Sequence, residues 1–177
     1  MSGHNKFSKI KRIKAKNDAQ KSKLFSKFVK LISVASRAAN GNINSLELRS
    51  AIEKARSYDM PNDSIERAVK KASEKNGAEM ESIMYETYGP GGVAIMIEAL
   101  TDNRNKAAGE IKHILTANGC ALAAPGSASW AFTKNTEEGF VPNMTVPLSD
   151  EDGAKLDKLI EDLEDNDEVQ EIYTNAE

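Results

Sequence analysis

The opening segment of the chain concentrates side chains that could bind a polyanion. The first 30 residues, MSGHNKFSKIKRIKAKNDAQKSKLFSKFVK, contain nine lysines and one arginine but a single acid, although the whole chain has a formal net charge of −3. Binding to nucleic-acid phosphates requires many flexible cations with few acids to neutralise them. We therefore predict a nucleic-acid-binding surface formed by Lys6, Lys9, Lys11, Arg12, Lys14, Lys16, Lys21, Lys23, Lys27, Lys30 and Arg37.

The kind of cation limits what this surface can recognise. Lysine predominates over arginine, which favours contact with the phosphate backbone rather than bidentate reading of base edges. Sequence-specific recognition by this segment alone is therefore not expected. The alternative interpretation is a solvated helix face that only keeps the protein in solution.

Charge also divides the whole chain. Residues 1–75 hold 18 Lys and Arg against 7 Asp and Glu, whereas residues 76–177 hold 6 against 20. Such asymmetry indicates that the basic half meets a polyanion and the acidic half does something else. Alternatively, the protein is an interaction scaffold. Its two halves then pair with each other, or they pair with partner proteins.

The start of a predicted helix offers a second, weaker anion site. Asp102 or Asn103 can cap this helix, and Arg104 and Lys106 follow in its first turn. Cations at the positive end of a helix can hold an anion. A plain helix cap is the simpler interpretation.

Signals for catalysis or a bound cofactor are weak. Residues 89–92, GPGG, lack the Walker and GxGxxG patterns and are typical of a tight turn. The chain has two histidines, His4 and His113, and one cysteine, Cys120, which are too few for a zinc site. We predict no enzymatic activity, no cofactor, no metal and no small-molecule substrate.

The surroundings of the protein can also be predicted. No apolar run approaches the roughly 20 residues needed to cross a bilayer, so no membrane association is expected. A lone cysteine cannot form an internal disulfide, which fits a reducing compartment, and the cytoplasm is the expected location. The residues give no indication of the oligomeric state.

Three helices should position the N-terminal cations. Residues 17–39 form a long amphipathic helix, with Lys23, Lys27, Lys30 and Arg37 opposite its apolar stripe. A second helix follows the N-cap Ser45, and a third begins with the capping box at residues 63–66 and runs to about residue 75. With Asn76-Gly77 as the boundary, residues 1–77 are predicted to be a basic all-α domain.

The remaining residues, 78–177, alternate between strand and helix patterns. We predict strands at 82–88, 93–100, 127–134, 140–148 and 169–174, the third with Ala128, Trp130 and Phe132 on one side. Helices are predicted at 103–117, with Ala108 facing inward, and after the N-cap Ser149. The predicted fold is α+β: a helical domain, then a ferredoxin-like β-α-β-β-α-β domain with one extra N-terminal strand.

Several short motifs follow one another in order along nearly the whole chain. They are Ser2-Gly3-His4-Asn5-Lys6-Phe7, Ile10-Lys11, Lys14, Asp18-Ala19, Ala51-Ile52, Met60-Pro61, Ile65-Glu66-Arg67-Ala68, Tyr88-Gly89-Pro90-Gly91-Gly92-Val93, Leu100-Thr101-Asp102-Asn103-Arg104-Asn105, Leu163-Glu164-Asp165, Val169-Gln170 and Tyr173. This collinear set resembles the YebC/PmpR family.

The resemblance implies a basic helical N-terminal domain followed by two α/β domains. It also implies a DNA-binding transcriptional regulator; other members act in translation, so a ribosome-associated factor contacting ribosomal RNA or tRNA is the alternative. Two departures stand out. Phe7 replaces the usual tryptophan, and residues 135–139 replace the inserted third domain of the family.

Overall fold

The computed structural model describes residues 18–73, 79–136 and 139–177. These residues form two compact units, one ending at Glu81 and the other beginning at Ser82. The boundary predicted at Asn76-Gly77 lies outside the described residues.

The described residues of the first unit form three α-helices, α1 (Asp18–Ala38), α2 (Leu46–Ser57) and α3 (Asn62–Ser73). The predicted first helix is confirmed, and it ends where Asn40 and Gly41 take the left-handed φ values of 50° and 74°. Ser45 caps α2 as predicted, because its hydroxyl accepts the backbone N–H of Leu48 at 3.3 Å. Helix α3 begins one residue before the predicted cap, so that Asp63 lies in its first turn.

The early start of α3 has a local cause. The carbonyl oxygen of Pro61 accepts the backbone N–H groups of Ser64 and Ile65 at 3.0 and 3.2 Å. A proline at this point fixes a backbone angle that suits the beginning of a helix. In the first turn, the Asp63 carboxylate lies near the positive end of the helix dipole.

The three helices share one apolar core. Its buried members include Phe28, Ile32, Leu48, Ile65 and Ala68. Each fully buried large aliphatic or aromatic side chain contributes roughly 1.5–3 kcal/mol to folding. A buried hydroxyl also joins α1 to α3, since Ser36 Oγ donates to the carbonyl oxygen of Val69 at 3.0 Å.

The described residues of the second unit form six strands and two α-helices, and the first strand begins at Glu81, the last residue of the first unit. They are β1 (Glu81–Tyr88), β2 (Ala94–Thr101), α4 (Arg104–Ala117), β3 (Leu122–Ala123), β4 (Phe132–Asn135), β5 (Gly139–Pro142), α5 (Asp150–Glu164) and β6 (Val169–Thr174). The main sheet has the order β3-β1-β2-β6, and β4 and β5 pair as a separate antiparallel hairpin. The predicted α+β class is confirmed.

The strand arrangement differs from the ferredoxin-like expectation. In a ferredoxin-like domain, β4 and β5 would be strands of the main sheet. In this protein, β1 and the short β3 take those places in the main sheet. The hairpin instead lies over one face of the sheet, where Phe132 packs with Ala94 and Met96 of β2. Helices α4 and α5 cover the other face through Ile111 and Leu156.

The turn between β1 and β2 places its glycines as the pattern predicts. Pro90–Gly92 form one 3-10 turn, in which Gly91 and Gly92 have φ values of 69° and 77°. Gly91 also packs closely, because a Cβ atom there would lie 2.4 Å from Cδ2 of Leu148. The positive φ favours glycine at this position, and a larger residue would also displace the end of the Leu148 side chain.

Two predicted elements are corrected in detail. In α4 the inward alanine is Ala107 rather than Ala108, beside the correctly predicted Ile111. Strand β5 ends at Pro142, because proline cannot donate to a sheet ladder. The N–H of Asn143 still donates to the carbonyl oxygen of Ala131 at 2.8 Å. The next bridge joins Val146 to Ala176, and the N–H of Val146 donates to the carbonyl oxygen of Asn175 at 2.8 Å.

The strand predicted at 127–134 is wrong over its first half. Residues Ser129–Ala131 form a 3-10 turn, and β4 begins only at Phe132. Burial therefore follows a spacing of three, with Ala128 and Ala131 inside and Trp130 exposed.

A buried carboxylate holds this turn in place. The side chain of Glu86, 6% exposed, accepts the backbone N–H groups of Gly126, Ala128 and Ser129 at 2.7, 2.6 and 2.9 Å. Burial raises the pKa of Glu86, but these three hydrogen bonds outweigh it and leave the pKa below its ordinary value of 4.5.

Replacing Glu86 with Gln tests this anchor. A glutamine cannot accept all three N–H groups, so we expect Glu86→Gln to lower the free energy of unfolding by about 1–3 kcal/mol at neutral pH. Because the folded pKa is depressed from 4.5, the carboxylate stabilises the fold above about pH 4.5 and this contribution is lost as the pH falls through the folded value. The Glu86→Gln variant should not show this loss of stability at low pH, because it has no carboxylate to protonate at this position.

Urea unfolding followed by the fluorescence of Trp130, the single tryptophan, measures both effects. Glu98→Gln is the matched control, since Glu98 is half-buried on the neighbouring β2 and its carboxylate accepts a hydrogen bond from the Ser82 side chain rather than from a set of backbone N–H groups. Equal stability of the Glu86 variant and the parent at neutral pH would contradict the anchoring role.

Candidate nucleic-acid interface

The structure describes only some of the cations of the predicted interface. Six of its cations, Lys6, Lys9, Lys11, Arg12, Lys14 and Lys16, lie outside the described residues. The other five, Lys21, Lys23, Lys27, Lys30 and Arg37, lie on α1. The helix that was predicted to carry them is therefore present.

The α1 cations differ in their exposure. Lys21 and Lys23 are exposed, and Lys30 and Arg37 are half-buried. Lys27 departs from the predicted outer row, because only 9% of it is exposed. It lies about 100° around the helix from its neighbour Phe28 in the buried stripe. At this border a lysine can bury its aliphatic stem.

Sequence reasoning overlooked three further cations in the helical unit. Arg67, Lys70 and Lys71 are exposed on α3. Their signal was the spacing of three and four residues, which places side chains on neighbouring positions of one helix face. On α2, by contrast, Arg49 already forms an ion pair of 3.3 Å with Glu53.

Lys106, in the first turn of α4, forms an ion pair with an acid of its own unit. The Asn103 side chain caps the helix by accepting the N–H of Lys106 at 3.0 Å. The Lys106 ammonium lies 3.0 Å from the buried carboxylate of Glu168 and 4.0 Å from Glu110. The hydrogen bond from Lys106 to Glu168 and the charges of both acids raise the pKa of Lys106. Arg104 is exposed beside this pair.

Groups that could serve catalysis are scattered. His113 is exposed on α4, and burial raises the pKa of the half-buried Cys120 thiol. In the described parts of the chain, no cluster of His, Cys, Asp or Glu could hold a metal ion. The described helices also include none long and apolar enough to span a membrane.

Family comparisons cover both units. The family described as "TACO1/YebC protein N-terminal domain" matches residues 5–75. The family described as "TACO1/YebC second and third domain" matches residues 80–137 and 133–176. The two pieces of the second match meet at the β4–β5 hairpin.

Individual relatives match along the whole chain. A protein from Thermoanaerobacter pseudethanolicus, named a probable transcriptional regulatory protein, is 36% identical over 239 aligned positions, which cover 100% of this chain and 97% of the relative. A protein of the same name from Fervidobacterium nodosum is 37% identical over 235 positions, covering 99% and 93%. Both alignments are longer than this chain of 177 residues, so both relatives contain positions without a counterpart here.

A solved structure has the same fold. The crystal structure of a conserved hypothetical protein from Aquifex aeolicus superposes with a TM-score of 0.81 at 32% sequence identity. The superposition covers 92% of this chain and 93% of that one.

The pairing of Lys106 suggests a structural role that can be tested. We expect Lys106→Met to lower the melting temperature, because it leaves the buried Glu168 carboxylate without its ammonium partner. Lys112→Met, on the exposed face of the same helix, is the control and should melt like the parent. Equal melting temperatures for all three proteins in thermal scans followed by circular dichroism would refute the role.

Proposed function

The chain belongs to the TACO1/YebC family, and from this we propose that it is a regulatory protein that binds nucleic acid through its basic N-terminal helices. The observation that carries the proposal is the excess of cations over acids at the N-terminus, nine lysines and one arginine against one acid in the first 30 residues. Phosphate contacts of this kind provide most of the affinity for nucleic acid and make it dependent on salt.

Helix α1 has suitable dimensions for such a contact. Its 21 residues extend over about 30 Å, which is close to one turn of a nucleic-acid duplex. Lys21 and Lys23 are exposed on its first turns, and the predicted basic segment precedes it. We therefore assign phosphate binding to Lys21, Lys23, Lys30 and Arg37, together with the six cations before α1, and we leave out the buried Lys27.

The relatives favour DNA as the target. Their names describe probable transcriptional regulatory proteins, and we extend that role to this chain as a DNA-binding transcriptional regulator. Such names describe regulation rather than a reaction, and we propose that the protein is not an enzyme.

One observation favours the alternative role in translation. Lysine outnumbers arginine nine to one in the basic segment, which suits sequence-independent binding to phosphates better than reading of an operator. Ribosomal RNA and tRNA present such phosphates as readily as DNA does. In this alternative the protein is a ribosome-associated translation factor.

Sedimentation with ribosomes separates the two roles. Purified protein would be spun with ribosomes across a salt series, with and without excess duplex DNA as competitor. Association that survives excess duplex supports the translation role. Release by any duplex indicates general phosphate binding, and the transcriptional role then requires a defined target site. Failure to bind either would overturn the proposed function.

Neutralising the α1 cations tests the assigned surface. We expect the triple variant Lys21→Gln, Lys23→Gln, Lys30→Gln to weaken binding to all duplex sequences alike. The slope of log affinity against log salt should become shallower by about 2–3, since each lost phosphate contact removes roughly 0.9. Fluorescence anisotropy of labelled duplexes at several salt concentrations measures both quantities.

A second triple variant provides the matched control. Arg67→Gln, Lys70→Gln, Lys71→Gln removes the same charge from exposed positions on α3 of the same unit. We expect it to change the salt slope less than the α1 variant does. Equal effects would mean that net charge, rather than α1, determines binding.

A further inference from the structure

Two exposed aromatic side chains in the sheet unit are joined to each other. Trp130 is 59% exposed and Tyr88 is 40% exposed. The Trp130 indole N–H lies 3.0 Å from the Tyr88 hydroxyl oxygen and 2.9 Å from the carbonyl oxygen of Ser127. The Tyr88 hydroxyl also donates to that carbonyl. We call Tyr88 and Trp130 the aromatic platform.

The backbone under the platform is fixed from two sides. The buried Glu86 carboxylate binds the N–H groups of Ala128 and Ser129, directly before Trp130. From the hairpin side, Asn143 Nδ2 donates to the carbonyl oxygen of Trp130 at 3.1 Å. An exposed aromatic group that is held rigid loses little conformational freedom on binding, which is typical of interface anchors.

The apolar surface extends beyond the platform. Met144 follows Asn143, whose side chain binds the carbonyl oxygen of Trp130. Leu122 pairs with Thr87 and therefore lies on the opposite face of the sheet from Tyr88. Leu122 and Met144 are exposed as well. In the described part of the sheet unit, these four are all of the exposed large hydrophobic residues. Polar, uncharged side chains near the platform include Ser127, Thr133 and Asn143. An apolar centre with a neutral polar rim is typical of protein interfaces.

Charge identifies the kind of partner. Residues 82–177 hold 18 Asp and Glu against 6 Lys and Arg. Three of those cations are occupied by acids of the same unit, in the pairs Lys106–Glu168, Lys155–Glu151 and Lys158–Asp162. Near the platform, the Glu177 carboxylate accepts a bond from Thr145, next to Met144. Such a unit repels phosphates and attracts cations.

We propose that the aromatic platform is a docking surface for a basic protein segment. A lysine or arginine of the partner stacks on the exposed indole of Trp130, and an adjacent apolar side chain covers Met144. In cation–π contacts of this type, arginine is the more frequent cation and the face of a tryptophan ring is the best partner. Acids of the sheet unit, including Glu177, attract the remaining cations. This surface is separate from the phosphate-binding surface proposed on α1.

The single tryptophan makes the test direct, because its emission reports on this surface alone. The full chain would be titrated with a short blocked peptide of repeating Arg-Leu-Gly and, in parallel, with one of repeating Glu-Leu-Gly. We expect a saturable change of Trp130 emission with the basic peptide and affinity at least about tenfold weaker for the acidic one. Raising the salt concentration should weaken the basic complex.

Variants separate docking from general attraction to an acidic unit. Anisotropy of the labelled basic peptide should show about a fivefold or greater loss of affinity for Trp130→Ala and retention for the conservative Trp130→Phe. Asp167→Asn removes one exposed acid while leaving the platform intact, and it should alter the affinity only slightly. Unchanged affinity in Trp130→Ala would overturn the proposal, since the peptide would then be held by charge alone.

Two further results would also overturn it. If oligo(dT) changes the Trp130 emission and the basic peptide does not, the platform stacks nucleobases instead. If the emission changes with protein concentration in the absence of any peptide, the platform is an interface between copies of this chain. Because none of these measurements uses duplex or ribosome binding, their failure is distinguishable from failure of the proposed function.

Discussion

Strand β2 sets the main constraint on the sheet unit, because it is buried on both faces. Seven of its eight residues are buried, so the sheet needs a covering layer on each side. Helices α4 and α5 form one layer against Ile95 and Ile97, and the β4–β5 hairpin forms the other against Ala94 and Met96. A strand with this composition cannot lie at an exposed sheet face without losing the burial that stabilises it.

The hairpin layer depends in turn on one carboxylate. Between α4 and β4 the chain must turn from the helical layer to the opposite face of the sheet, and its backbone N–H groups need acceptors. Glu86 reaches across from β1 to satisfy three of them. The same contacts determine where Trp130 lies, so the packing of the hairpin and the exposed platform have a common origin.

How far the sequence predicts this structure depends on the range of the interactions. Local signals were sufficient for α1, for the Ser45 and Ser149 caps and for the left-handed glycines of the GPGG turn, because each follows from neighbouring residues. The position of Trp130 required knowledge of Glu86, 44 positions earlier in the chain. The separation of the β4–β5 hairpin from the sheet, and the pairing of Lys106 with Glu168, likewise depend on contacts that no local pattern encodes.

The candidate phosphate-binding surface was predictable in composition but not in detail. When one stripe of a helix is buried in the core, only its other faces can contact a polyanion. A residue at the edge of the buried stripe can itself become buried. Lys27 illustrates this limit, since periodicity placed it in the outer row and packing buried it. In the sheet unit, Lys106, Lys155 and Lys158 each form an ion pair with an acid of their own unit. The use proposed for the α1 cations is binding, whereas the paired cations of the sheet unit compensate acids on α4, α5 and the residues before β6.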